Sequence, residues 1–310
     1  MRNFKQSIVL LLTFLAACGS NSGGPPGPDG SMGTGTHHHY VINTVHVPTS
    51  TPDAQKYGLD VGSATGNTPD GTVDNKLGTA LSSLSGAAST NIAVANGGVL
   101  VLLDVQATDL TTATGAGFQT FVGASPNPTP CSGPTDTICG RHLDGHGAFD
   151  VSSNDPHNGA LTGDIVAGVF TAGPGDLVVQ FAAGSSTIAT VNLINAHVHA
   201  TGATENGVSS AILAGVVTST DMDNEVLPAI RDGLLATIAK DCGVGCACKA
   251  GSAGAVIESQ FGTCTITVAA IKNQSLYAQA LAPDVCIEAS CSKPDGVSFG
   301  VGATAVVGTF

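Results

Sequence analysis

The sequence predicts a mainly β protein with some α: a β-sandwich or curled antiparallel sheet, two or three packed helices, and a disulfide-bonded C-terminal region. Three observations lead there. Short apolar or alternating runs recur along the chain, cut by Gly, Pro and Asn clusters. One segment carries a clear amphipathic helical stripe. The cysteines beyond residue 18 are even in number.

At the N-terminus, Arg2 and Lys5 form a positive region, Ile8 to Leu15 an apolar one, and Ala16-Ala17 a small-residue cleavage site. This run is shorter than the roughly 20 residues a spanning helix needs. The ending Leu15-Ala16-Ala17-Cys18 resembles the lipobox of bacterial lipoproteins. That resemblance implies cleavage before Cys18, acylation of Cys18, and, with Gly19 rather than Asp following, delivery to the outer membrane. Residues 1–17 are thus expected to be a signal peptide and 18–36 a lipidated cysteine with a flexible Gly/Pro/Ser-rich tether. A β-rich domain is expected over 37–240, with a cysteine-rich region, 241–310, packed on it.

Tyr40 to Val47 alternates as a strand does, blurred at Val41-Ile42 and stopped by Pro48. Asp74-Asn75 precede a short capped helix over Lys76 to Leu84, with Leu77, Leu81 and Leu84 at helical spacing. Val99 to Val105 reads as one buried strand. Further strands are expected at Phe118 to Val122, Ala148 to Val151, Asp164 to Phe170, Asp176 to Ala182 and Thr187 to Ala200, divided by clusters such as Ala172-Gly173-Pro174-Gly175. Asp223 to Asp241 is the amphipathic helix, with Pro228 in its first turn and Asp221 or Asp223 as its cap. A second helix is expected over Ala270 to Leu281, and Val297 to Phe310 is strand-like.

Eight cysteines lie beyond Cys18, and an exported chain would oxidise them. Cys131 and Cys139 bracket one loop and are expected to pair with each other. Cys242, Cys246, Cys248, Cys264, Cys286 and Cys291 allow fifteen pairings among them. The alternative, a zinc knuckle from Cys242, Cys246, Cys248 and Cys264, lacks the usual ribbon spacing.

The formal charge is −13, two units more negative once Arg2 and Lys5 are removed. Such a chain repels a phosphate backbone, so no nucleic-acid partner is expected. There is no Trp and few aromatic residues, which disfavours stacking platforms for bases or sugars. A Walker loop and a His-Glu-x-x-His motif are both absent from the sequence.

Candidate chemistry is confined to four places. His197 and His199, two apart on a strand, share one face at a spacing that metal sites use. The pair resembles the first metal motif of amidohydrolases, but no histidine follows His199. Asp60, Asp70 and Asp74, with Asn67 and Asn75, could offer oxygens to calcium, without the order of an EF-hand loop. His142, Asp144 and His146 crowd one loop after the Cys131/Cys139 bracket and could form a binding or acid–base site. His37-His38-His39, where tether meets domain, could scavenge metal weakly.

The frames Val47-Pro48 to Gly58-Leu59-Asp60, Gly71-Thr72-Val73-Asp74-Asn75-Lys76-Leu77-Gly78 and Asp295-Gly296-Val297-Ser298-Phe299-Gly300-Val301-Gly302 resemble a group of uncharacterised predicted lipoproteins of myxobacteria. The resemblance implies export and a shared fold, and carries no activity. The Asp-Gly-rich stretch common before the helix start in that group is depleted here between Asp60 and Asp74. The expectation is therefore a non-catalytic envelope lipoprotein at the outer membrane or cell surface, structural or binding in role. It would be anchored through its lipid and engage an envelope protein or ligand not named by the sequence. Two alternatives are a calcium- or metal-dependent ligand-binding domain and a hydrolase around His142, Asp144 and His146. No cofactor is expected unless calcium.

Overall fold

The computed structural model describes residues 33–310, apart from 83–85, 134, 137, 185 and 186. Its strands are β1 (Thr36–His46), β2 (Val101–Ala107), β3 (Ala113–Asn127), β4 (Gly147–Val151), β5 (Leu161–Val166), β6 (Val169–Ala182), β7 (Ile188–Thr204), β8 (Gly207–Val217), β9 (Cys242–Gly243), β10 (Ala247–Cys248) and β11 (Val297–Thr309). Its helices are α1 (Thr51–Lys56), α2 (Lys76–Ser82), α3 (Gly86–Ala95), α4 (Ser219–Asp221), α5 (Leu227–Asp241), α6 (Ala253–Phe261), α7 (Val268–Asn273) and α8 (Ser275–Ala280).

Eight strands close into an antiparallel barrel in the order β1-β2-β3-β5-β6-β7-β8-β11 and back to β1. This corrects the expected sandwich or curled sheet. Two pairings far apart in sequence make the difference. β1 joins β11 from Tyr40↔Val307 to His46↔Gly302, and β3 gives one edge to β2 and the other to β5. The expected strand Phe118 to Val122 is the middle of a 15-residue strand. β6 and β7, of 14 and 17 residues, likewise stay in one sheet and coil through bulges instead of passing to a second one. Closure then removes the free edges a sandwich would keep. The segment 297–309, read as part of the cysteine-rich region, is a barrel strand.

The turn between β5 and β6 falls at Ala167-Gly168, whose φ values of 51° and 77° are those of a two-residue hairpin turn with both central residues left-handed. The single strand expected over Asp164 to Phe170 is therefore two. The Ala172-Gly173-Pro174-Gly175 cluster, read as a divider, is an irregularity inside β6.

Inward side chains fill the barrel. Leu103, Phe118, Leu177, Phe181, Leu193, Leu213 and Phe299 are buried and belong to one apolar cluster. Thr162 and Asp164 on β5 and Ser210 on β8 are exposed on the wall. An apolar interior with a polar wall is the reverse of a lipid-facing barrel. Among the described residues, no helix is long and apolar enough to cross a membrane.

The helices lie in the β1–β2 and β8–β11 connections, which leave the barrel at the same end. Leu77, Leu81, Val94, Ile230, Leu234 and Ile271 extend the barrel's core into that helical layer. The opposite end has short links, such as Val166 to Val169 and Thr204 to Gly207. The amphipathic helix begins earlier than expected: Thr218, not Asp221 or Asp223, caps it by accepting the Asp221 N–H. A π-turn over Met222–Val226 then leads into α5, where Pro228 stands in the first turn. The helix expected over Ala270 to Leu281 is two, broken at Gln274, whose side chain caps α8 by accepting from Leu276 and Tyr277 N–H.

Part of the outer wall is covered too. β4 bridges β3 and β11 and, with Leu143 and Phe149, packs on Val41, Leu102 and Phe121. Val61 and Val285 cover Ala214 and Val216 on β8. Cys131 pairs with Cys139, and the C-terminal six pair as Cys242–Cys248, Cys246–Cys264 and Cys286–Cys291.

β1 leaves β11 at Gly302, and the edge beyond it is completed by side chains. The Asn75 carboxamide accepts the Gly300 N–H at 2.9 Å and donates to the Gly300 carbonyl at 2.8 Å, as a neighbouring strand would. It also donates to Ala54 O and accepts the Gly78 N–H, capping α2. Removing it leaves buried backbone groups unsatisfied. Asn75→Ala is expected to cost about 2–4 kcal/mol in urea unfolding. Asn75→Asp should fail to restore that loss, because a carboxylate donates to neither carbonyl.

Candidate functional site

Where the helical layer meets the barrel end, α2, α5, α6 and α8 enclose a groove of about 640 Å³. Leu77 and Leu81 of α2 turn into the core, which leaves Lys76, Thr79 and Ala80 on the groove side. α5 can seat closely because of Gly233: a Cβ there would lie 1.8 Å from the Ala183 carbonyl oxygen. Ile230, Leu234 and Ile257 form much of the apolar floor. Tyr277 of α8 stands at the wall with its ring 5.6 Å from Phe261, and burial pushes its phenol up from the ordinary value. Lys76 is the one charged side chain among the described lining residues. On the other side of Tyr277 and Leu281 a second groove of about 390 Å³ runs toward Met222 and Leu227. Chemically, this is a place for an apolar body with a polar or anionic end.

The residues singled out from sequence fall elsewhere. His142 is fully buried, and burial lowers its pKa, while Asp144 and His146 stay exposed, 3.6 Å apart, on the turn after it. The three do not converge. His197 and His199 lie on the outer wall of β7. His197 is partly buried, its Nε2 has no hydrogen-bond partner among the described residues, and desolvation lowers its pKa, against the charge of Asp60, which raises it.

Asp60, Asp70 and Asp74 staple their own loop. Asp60 accepts the Asp70 and Gly71 N–H groups, Asp70 that of Thr72, and Asp74 that of Val61. Among the described residues, no three of His197, His199, Asp60, Asp70 and Asp74 come within ligand distance of one another. The Cys242, Cys246, Cys248 and Cys264 sulfurs are spent in disulfides. Cys18 lies outside the described residues.

Sequence reasoning missed the groove, whose walls come from four separated helices. It also read His37-His38-His39 as weak metal scavengers at the junction of tether and domain. These residues are in β1, whose first residue is Thr36, and are paired with β2. Gly33 N–H already bonds to Gln106, so the fold begins inside the expected tether. His37 and His39 face Asp104, which the sequence had hidden in the apolar run Val99 to Val105.

The site and fold together define an apolar-filled eight-stranded barrel with a grooved helical cap. No family model, curated protein or solved structure matches the chain.

Burial raises the Asp74 pKa to about 6, against the Val61 N–H, which lowers it, with Asp284, Asp60 and Asp70 adding to the rise. A carboxyl with a raised folded-state pKa resists ionisation. Its penalty is absent below the ordinary value of 3.8, grows as pH rises, and is complete above about 6. Asp74→Asn keeps the acceptor and removes the charge. Its gain in urea midpoint over the unsubstituted protein should therefore be larger near pH 7.5 than near pH 4; an equal gain at both would contradict the assignment.

Proposed function

We propose that the protein is an exported, lipid-anchored binding protein of the outer membrane or cell surface, and that its ligand is a small amphiphile with an acidic end. The groove carries this reading. Its volume of about 640 Å³ lies within the range of small-molecule sites, roughly 300–1,000 Å³, and it is lined mainly by apolar side chains. One cation stands among those described linings, on a chain whose net charge is −13. An apolar tail would pack on Ile230, Leu234 and Ile257, and a carboxylate would lie toward Lys76.

Export is supported by the signal-like N-terminus and by four disulfides, which persist in oxidising compartments. A role in binding rather than the hydrolase alternative is supported by the burial of His142 away from the exposed Asp144 and His146, so that the three do not converge on one pocket.

A fluorescent acyl probe bearing a carboxylate tests the reading. Saturable one-to-one binding is expected. Ala80→Phe combined with Ala280→Phe, which fill the groove from α2 and α8, should weaken it roughly tenfold or more, about 1.4 kcal/mol. Lys76→Gln should weaken the carboxylate probe severalfold while leaving the matching alcohol unchanged. Binding that ignores the groove-filling pair would refute the site, and an equal loss for both probes on Lys76→Gln would refute the acidic end.

A further inference from the structure

We infer that His37, His39 and Asp104 form a binding site for one zinc-class divalent ion on the outer wall of the barrel. The site shares no residue with the groove and does not depend on it. β1 presents His37 and His39 on one face, because they are two residues apart on a strand. β2 places Asp104 directly opposite His39 and two residues from Gln106, the partner of His37, so on the same face. The three side chains offer His37 Nδ1, His39 Nε2 and an Asp104 carboxylate oxygen, all within 4.8 Å of one another.

The distances suit a small ion. Asp104 Oδ2 lies 2.9 Å from His37 Nδ1 and 3.6 Å from His39 Nε2. Ligands about 2.0–2.1 Å from a tetrahedral ion stand roughly 3.4 Å apart, so modest side-chain adjustment satisfies all three bonds. The rings of His37 and His39 are nearly perpendicular, at 68°, and 6.1 Å apart. Phe310 stacks on His39 at 4.3 Å and meets Phe121 edge-on, which fixes the plane of that imidazole.

A second observation points to a ligand. The Asp104 side chain is fully buried, and its Oδ1 has no hydrogen-bond partner among the described residues. A carboxylate oxygen shielded from water and left unpaired is costly, and a dication beside it offsets that cost. The histidine side chains retain 22% and 18% exposure, so an ion can enter and keep water or an outside ligand in a remaining position. Two imidazoles and one carboxylate suit zinc or its first-row neighbours, whereas calcium and magnesium call for oxygen ligands. Three protein ligands rather than four describe an open site.

The test is zinc titration of the exported full-length protein, oxidised so that no thiol competes, followed by cobalt substitution read by visible absorption. One ion per chain is expected, with a cobalt spectrum of low coordination number. Asp104→Asn and His39→Gln should each weaken zinc binding by roughly tenfold or more, whereas His197→Gln with His199→Gln should leave it unchanged. If Asp104→Asn does not fold, the paired His37→Gln and His39→Gln variant, altered only at partly exposed side chains, takes its place. Undiminished stoichiometric binding in that variant, or no binding by the unsubstituted protein at ten micromolar free zinc, overturns the inference.

Discussion

The carboxamide of Asn75 is the joint on which this architecture turns. β8 is paired with β11 along its whole length, from Val297↔Val217 to Val306↔Gly207, but β1 accompanies β11 only as far as Gly302. Beyond that point the barrel would show an open edge at the end where the helices enter. Asn75 fills the edge at Gly300, and Asp284 does the same at Ser298, accepting both its N–H and its hydroxyl. Ser298 Oγ in turn accepts the Lys76 N–H at the start of α2. The amide that completes the sheet therefore also starts the helix, and the first wall of the groove is positioned by the last strand of the barrel.

Much of the secondary structure was legible because its signals are local. Strand cores at β1, β2, β4 and β7, the amphipathic stripe of α5 and the Asp74-Asn75 start of α2 all rest on periodicity or a cap. Closure was not legible. Tyr40 and Val307 stand opposite each other across almost the whole described chain, and nothing near either residue announces the pairing. The long strands were also underread: in β3 the cues stop near Val122, while pairing to β4 carries the strand on to Asn127. α3, rich in Gly, Ala and Ser, lacks a strong stripe and takes its shape from what it packs against.

The candidate sites divide along the same line. A dense polar run such as His142 to His146 draws the eye, yet the chain there sends one side chain inward and two outward. The groove depends on Ala80, Gly233 and Ala280 being small, and small residues carry no chemical mark in a sequence. Asp104 was visible in retrospect as one acid inside an apolar strand, 67 residues from His37. That isolation was the available signal, because an acid in a buried strand needs a partner from elsewhere.

The disulfides have a consequence for how the protein matures. Their spans are 8, 6, 18 and 5 residues, so each ties a loop to itself and none fastens the helical cap to a barrel strand. Closing so short a loop removes little freedom compared with closing the barrel. Barrel closure and thiol oxidation are thus separable: none of the four bonds is needed to bring β1 against β11.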